Sequence, residues 1–279
     1  MKVSSLLGYL LAAALVSVAA IGSASAAPLF WAINQFNTIH LLNGDTGAVV
    51  QSFAVPGLSG LAASVAVVGN TAYYTQLGDA NVYKYDNTTH VFGGVAFNTG
   101  DSTLMNGITT DSNGHLWFAH GSGAALQEFS TAGVLLSTHA FPTAASAYRD
   151  GSVVFGGFIV ANRGDQIGPY DKYAIPGGNG ALTYINQPFI VPAQSNGSNG
   201  IAFDGVNFYV SNEQQHTVSK FNSAGVFISL APLDPGSRYE NWTFAAQDIV
   251  PPGVPEPGTL ALLGLGVVAL AARRARKTR

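Results

Sequence analysis

One pattern recurs five times along the middle of this chain and leaves few folds open to it. A short apolar strand ends in a polar residue, and about nine residues later comes a leucine or an aromatic residue followed by a turn. The strands are Leu29-Phe-Trp-Ala-Ile-Asn34, Ala72-Tyr-Tyr-Thr-Gln76, Leu116-Trp-Phe-Ala-His120, Phe158-Ile-Val-Ala-Asn162 and Phe208-Tyr-Val-Ser-Asn212. The downstream positions Leu42, Tyr85, Phe129, Tyr173 and Phe221 lie 43, 44, 44 and 48 residues apart. Four short strands per repeat of that length are the mark of a propeller blade, because one such unit cannot bury its faces alone and must stack on neighbours. The strands are rich in Val, Tyr, Phe and Thr, and Asn-Gly, Gly-Asn and Asp-Gly pairs separate them as tight hairpins require. No long stretch between residues 27 and 250 carries helical periodicity.

The unit starting at Leu29 lacks the innermost strand that precedes the others, whereas Asn241-Trp-Thr-Phe-Ala-Ala-Gln-Asp-Ile-Val250 is strand-like and has no partners of its own. The C-terminal strand is therefore expected to complete the first blade, closing the ring and removing an exposed edge. Residues 27–250 predict an all-β domain of five four-stranded blades. Six blades is the alternative, should the 48-residue interval hold extra structure.

Two stretches resemble known propeller families. Asn106 to Gly133 is similar to NHL-type and streptogramin-lyase-type repeats, and Ser198-Asn-Gly-Ile-Ala-Phe-Asp204 is similar to the repeat of gluconolactonase-like propellers. The gluconolactonase resemblance implies a metal-ligating asparagine at Asn199, with a glutamate from the first blade and an aspartate elsewhere in the channel. The strand Leu29 to Ile33 has no acid, and Asn212 stands where an aspartate would be needed. The lyase resemblance finds no paired acid and base beside His120. No catalytic residue, metal or cofactor is expected on these motifs. There is also no Gly-x-Ser-x-Gly elbow, His-Glu-x-x-His helix or phosphate loop. Asp111-Ser112-Asn113-Gly114 begins like a calcium loop but reads as a hairpin turn.

The two ends read as addresses. Lys2, the apolar run from Leu6 to about Ala20 and the small residues through Ala24-x-Ala26 form a secretory signal peptide over residues 1–26, to be removed by signal peptidase. At the other end, residues 251–258 form a Pro-rich linker, residues 259–272 a short apolar helix, and Arg273, Arg274, Arg276 and Lys277 a basic stop. This tail, 259–279 behind Pro255-Glu256-Pro257, resembles the PEP-CTERM sorting signal of Gram-negative bacteria. That resemblance implies recognition of Pro-Glu-Pro by an exosortase, transient anchoring in the inner membrane, removal of the tail, and a cell-surface or secreted product of the kind often associated with extracellular polysaccharide and biofilm.

Composition excludes other functions. With no cysteine, the chain has no disulfide framework, thiolate metal site or cysteine nucleophile. Between residues 27 and 254, six basic residues face fourteen acidic ones, so a nucleic-acid-binding surface is not expected.

One constellation suggests a ligand. Asn34, Gln76, His120, Asn162 and Asn212 end the second strand of each blade and are expected to ring one mouth of the channel with Asn106, Asn199 and Asn241. With Trp31, Tyr74 and Trp117 nearby, such a ring would offer amide hydrogen bonds and stacking to sugar hydroxyls. The competing reading is that these amides cap strand ends and tighten turns. The expected function is an exported, exosortase-processed binding or structural module, with exopolysaccharide as a candidate partner. The alternative is a lactonase-like or lyase-like enzyme.

Overall fold

The computed structural model describes residues 27–34, 36–60, 62–102, 107–119, 125–142, 151–162, 169–190, 200–212, 215–233 and 239–244. All belong to one unit, Ala27–Gln247. Residues 1–26, expected from the sequence to be a signal peptide, the segment with Pro255, Glu256 and Pro257, and residues 259–279 fall outside the described residues.

Twenty strands follow one another with no helix among the described residues. They are β1 (Leu29–Asn34), β2 (Thr38–Asn43), β3 (Val49–Ala54), β4 (Ala62–Val68), β5 (Thr71–Gln76), β6 (Asn81–Asp86), β7 (Val91–Asn98), β8 (Gly107–Thr110), β9 (Leu116–Ala119) and β10 (Ala125–Phe129). The second half comprises β11 (Leu135–Ala140), β12 (Ser152–Phe155), β13 (Phe158–Asn162), β14 (Pro169–Ala174), β15 (Thr183–Ile190), β16 (Ile201–Phe203), β17 (Asn207–Asn212), β18 (Thr217–Asn222), β19 (Phe227–Pro232) and β20 (Tyr239–Phe244).

These form five antiparallel four-stranded sheets: β20-β1-β2-β3, β4 to β7, β8 to β11, β12 to β15 and β16 to β19. The innermost strands touch in the order β20, β4, β8, β12, β16 and back to β20, which makes the ring of a five-bladed β-propeller. The closing strand pairs with β1 as expected, Phe244 opposite Phe30 and Asn241 opposite Ile33. It starts at Tyr239, two residues before the expected position, and residues 245–250 lie outside the description. Among the described residues, the 48-residue interval holds only strands of the fourth and fifth blades, so there is no sixth blade.

Alternation along the second strand of each blade sends successive side chains to opposite faces, each buried against a neighbouring blade. In β9, Leu116 and Phe118 pack with Tyr73, Val82, Phe97 and Ile108 toward the second blade. Trp117 and Ala119 pack with Val154, Ile159 and Tyr173 toward the fourth. The junction of last and first blades is built the same way from Phe30, Leu42, Tyr209 and Val218. Burying aromatic and branched side chains is worth roughly 1.5–3 kcal/mol each, so the inter-blade faces dominate stability.

The hairpin between third and fourth strands needs a left-handed residue, which Gly47 (φ 70°) and Gly133 (φ 83°) supply. A Cβ on Gly133 would stand 2.5 Å from Phe97 Cβ of the preceding blade. The glycine thus permits both the turn and the close approach. Outer edges are partly covered by neighbours: the Gly180 and Leu182 amides donate to the Thr138 and Ala140 carbonyls of β11.

Candidate functional site

In blades two to five the inner strand turns into the second strand through a tight hairpin, and these four hairpins lie at one end of the ring. There, residues of blades two to five, including Val68, Thr110, Asp111, Phe155, Phe203 and Asp204, surround an open depression of about 650 Å³. A second cavity of about 290 Å³ adjoins it, between blades three and four, and holds Asp111, Trp117, Glu128, Ser137 and His139.

Strand geometry explains this polar set. Trp117 on β9 lies opposite Glu128 on β10, and Glu128 lies opposite Ser137 on β11. His115 and Trp117 are two residues apart, as are Ser137 and His139. The period of two therefore puts all five on the face of blade three that meets blade four.

Every member is held by hydrogen bonds. Asp111 Oδ1 accepts from the backbone amides of Asn113 and His115 at 2.9 and 3.0 Å. This is the turn chemistry expected of Asp111-Ser112-Asn113-Gly114. Asp111 Oδ2 accepts from Trp117 Nε1 at 3.1 Å and lies 3.7 Å from His115 Nδ1. His115 Nδ1 is 2.6 Å from Glu128 Oε1, and the Ser137 hydroxyl donates to Glu128 Oε2 at 2.6 Å. His139 Nε2 is 2.9 Å from Ser137 Oγ, and its ring stacks on Trp117 with centroids 5.7 Å apart. His139 is 1% exposed, and this burial pushes its pKa below the ordinary histidine value. The side chains of Asp111 and Glu128 are only 12% and 16% exposed, against 34% for His115.

Blade five shows the same hairpin with different charges. Asp204 Oδ1 accepts from the amides of Val206 and Asn207 at 2.8 and 2.6 Å, and Asp204 Oδ2 accepts from the Tyr209 hydroxyl at 3.0 Å. Burial pushes the Tyr209 phenol up to about 12. Opposite Tyr209 stands Lys220 rather than a glutamate, and opposite Tyr73 in blade two stands Lys84. Blade three alone carries an acid at that position.

Asn34, Gln76, Asn162 and Asn212, at the ends of their second strands, lie at the other end of the ring, since Gln76 is paired with Ala62 at the start of β4. Asn34, Gln76, Asn162 and Asn212 are all buried, between 1% and 7% exposed. Asn34 Oδ1 accepts from the Phe36 and Thr38 amides, each at 3.0 Å, and its Nδ2 lies 3.0 Å from His40 Nε2. Gln76 bridges to the amide and hydroxyl of Ser59 at 2.8 and 3.2 Å, and Asn212 Oδ1 accepts from the Gln215 amide at 3.1 Å. Asn106, His120 and Asn199 lie outside the described residues, as does the side chain of Asn241. Trp31, Tyr74 and Trp117 are buried between blades.

Sequence reasoning missed His115, Glu128, Ser137 and His139. A signal existed: Glu128 is the only glutamate in the first 212 residues, and it sits in an otherwise apolar strand pattern.

Fold and ends now define the chain as a β-propeller that carries a sorting signal. The PEP-CTERM protein-sorting motif matches residues 253–277, so the chain bears the mark of exosortase-processed export with transient anchoring through its C-terminal region. No curated protein matches the sequence. Among solved structures, a chain of a nidogen/laminin complex superposes with a TM-score of 0.53 at 12% identity, covering 78% of this chain and 98% of that one. A streptogramin B lyase superposes with a TM-score of 0.45 at 17% identity, covering 76% and 67%. Selenomethionine-substituted virginiamycin B lyase from Staphylococcus aureus gives 0.45 at 13% identity, covering 78% and 75%. At 12% identity the likeness to the nidogen/laminin chain is one of fold alone.

Proposed function

We propose that this protein is a cell-surface or extracellular-matrix component of a Gram-negative bacterium whose propeller is a binding or structural module. The single observation that carries the reading is the pairing of the sorting motif at residues 253–277 with a five-bladed propeller. Signal peptidase removes residues 1–26, and an exosortase acts at Pro255-Glu256-Pro257. The partner is an extracellular polysaccharide, met at the depression beside Asp111, Asp204, Phe155 and Phe203. Aromatic rims with amide and carboxylate acceptors suit sugar hydroxyls.

Two measurements test it. Mass spectrometry of the exported protein should find both termini trimmed; an intact Arg279 outside the cell contradicts the sorting half. Titration of the folded protein with the host's exopolysaccharide should show saturable binding; its absence removes the polysaccharide half.

A second reading, a lactonase-like or lyase-like propeller enzyme, is favoured by one observation, the His115–Glu128 pair at 2.6 Å. A histidine and a carboxylate at that distance form an acid-base pair. Turnover of lactone substrates, lost on substituting either residue, would establish it.

A further inference from the structure

We infer that Asp111, His115 and Glu128 form a binding site for a divalent transition-metal cation of the zinc class, on the face of blade three that looks into the groove beside blade four. The inference does not depend on what the propeller binds elsewhere.

The three side chains offer one ligand atom each, and Asp111 Oδ2, His115 Nδ1 and a Glu128 oxygen lie within 4.8 Å of one another. Their orientation is set from outside the trio. Asp111 Oδ1 is held by two backbone amides, which leaves Oδ2 turned to the common point. Glu128 Oε2 is held by Ser137, which leaves Oε1 turned the same way. Trp117 Nε1 and the Ser137–His139 pair thus take the orienting positions that metal ligands require behind them. Ligand atoms around zinc stand about 3.4 Å apart in a tetrahedron with bonds near 2.1 Å. The distances from His115 Nδ1, 2.6 Å to Glu128 and 3.7 Å to Asp111, straddle that value. Small side-chain rotations suffice to reach it.

Charge makes the case for a cation. Two largely buried carboxylates share the groove with one half-exposed histidine, and neither pairs with a lysine or arginine among the described residues. Blades two and five place Lys84 and Lys220 at the position of Glu128. Blade three thus carries an anion where two other blades carry a cation, and buried anions require compensation. His139, 1% exposed, stands in the same cavity wall and backs Ser137 at 2.9 Å. One imidazole and two carboxylates suit zinc-class ions better than calcium, which takes six to eight oxygens. As a ligand, His115 would present a bare Nδ1 to the ion and carry its ring proton on Nε2, since a coordinating atom must be deprotonated. Three protein ligands leave a position open to the groove for water or a partner's oxygen.

The test is titration of the full chain with zinc by calorimetry, and with cobalt by visible absorption. One equivalent of each is expected, with a cobalt spectrum of low coordination number. Affinity should fall at least about tenfold in His115→Ala and in Glu128→Gln, and by about 10–100-fold in Ser137→Ala. Asp204→Asn, at the equivalent hairpin of blade five, should bind like the wild type. His115→Gln serves if the alanine variant does not fold. No saturable binding, or equal affinity in the His115 and Glu128 variants and the wild type, overturns the site.

Discussion

Lys220 Nζ lies 2.7 Å from Asp45 Oδ1, tying the third strand of the last blade to a hairpin of the first across 175 residues of sequence. The same ring junction is closed a second time by the β20–β1 ladder. The two closures differ in strength, and the first prediction separates them.

Asp45 is 45% exposed, so its ion pair is worth at most about 1 kcal/mol. Lys220→Met, which keeps the stem over Tyr209, should lower the melting temperature by no more than about 2–4 °C. A chain ending at residue 238 lacks β20 and leaves β1 unpaired on its inner side, and it should show no cooperative melt. Circular dichroism of both decides the matter. A cooperative, near-native melt of the shortened chain would show that the ion pair and packing suffice.

Two left-handed glycines should respond differently to a methyl group. A Cβ on Gly47 would run into the Pro232 carbonyl of the neighbouring blade, whereas one on Gly205 would meet nothing within 4 Å. Gly205→Ala should cost only the left-handed penalty of about 1–2 kcal/mol. Gly47→Ala adds an overpacking cost of about 1–3 kcal/mol. Urea denaturation measures both; equal losses would mean that blade five yields without cost.

Asp204 and Tyr209 should be energetically coupled. Asp204→Ala abandons two backbone amides and the Tyr209 hydroxyl, a loss of about 1–3 kcal/mol. Tyr209→Phe should cost about 1 kcal/mol alone and less once Asp204 is gone. A double-mutant cycle in urea reads the difference, and strictly additive losses would refute the coupling.

Acid should weaken the fold through His139. Burial lowers its pKa in the folded state, so the unfolded chain binds the proton first, from about pH 6.5 downward. Its contribution is intact above about pH 6.5 and is lost as pH falls toward the folded-state value. The Glu128 carboxylate, reached through Ser137, opposes the shift without reversing it. His139→Gln retains a partner for Ser137 but does not titrate. Urea midpoints at pH 7.5 and 5.5 should therefore fall less in the variant than in the wild type. Equal falls would place the acid sensitivity elsewhere.

The repeat spacing alone was enough to read the architecture. Leu42, Tyr85, Phe129, Tyr173 and Phe221 mark one third strand per blade, and the missing strand before Leu29 matched the surplus strand near Asn241. The hairpin role of Asp111 was legible too, because an aspartate bonding to amides two and four residues on is a local event. The groove was not legible. His115 and Glu128 are thirteen residues apart, and Glu128 and Ser137 meet only because a register shift between Glu128 and Phe129 sets the outer strand.

By itself, then, the sequence determined what local chemistry and periodicity control: strand, turn, repeat length, ring closure and the sorting tail. Tertiary structure decided which polar side chains converge. That depends on register across three strands and on which face meets the next blade, and the free energy for both comes from apolar packing rather than from the polar residues themselves.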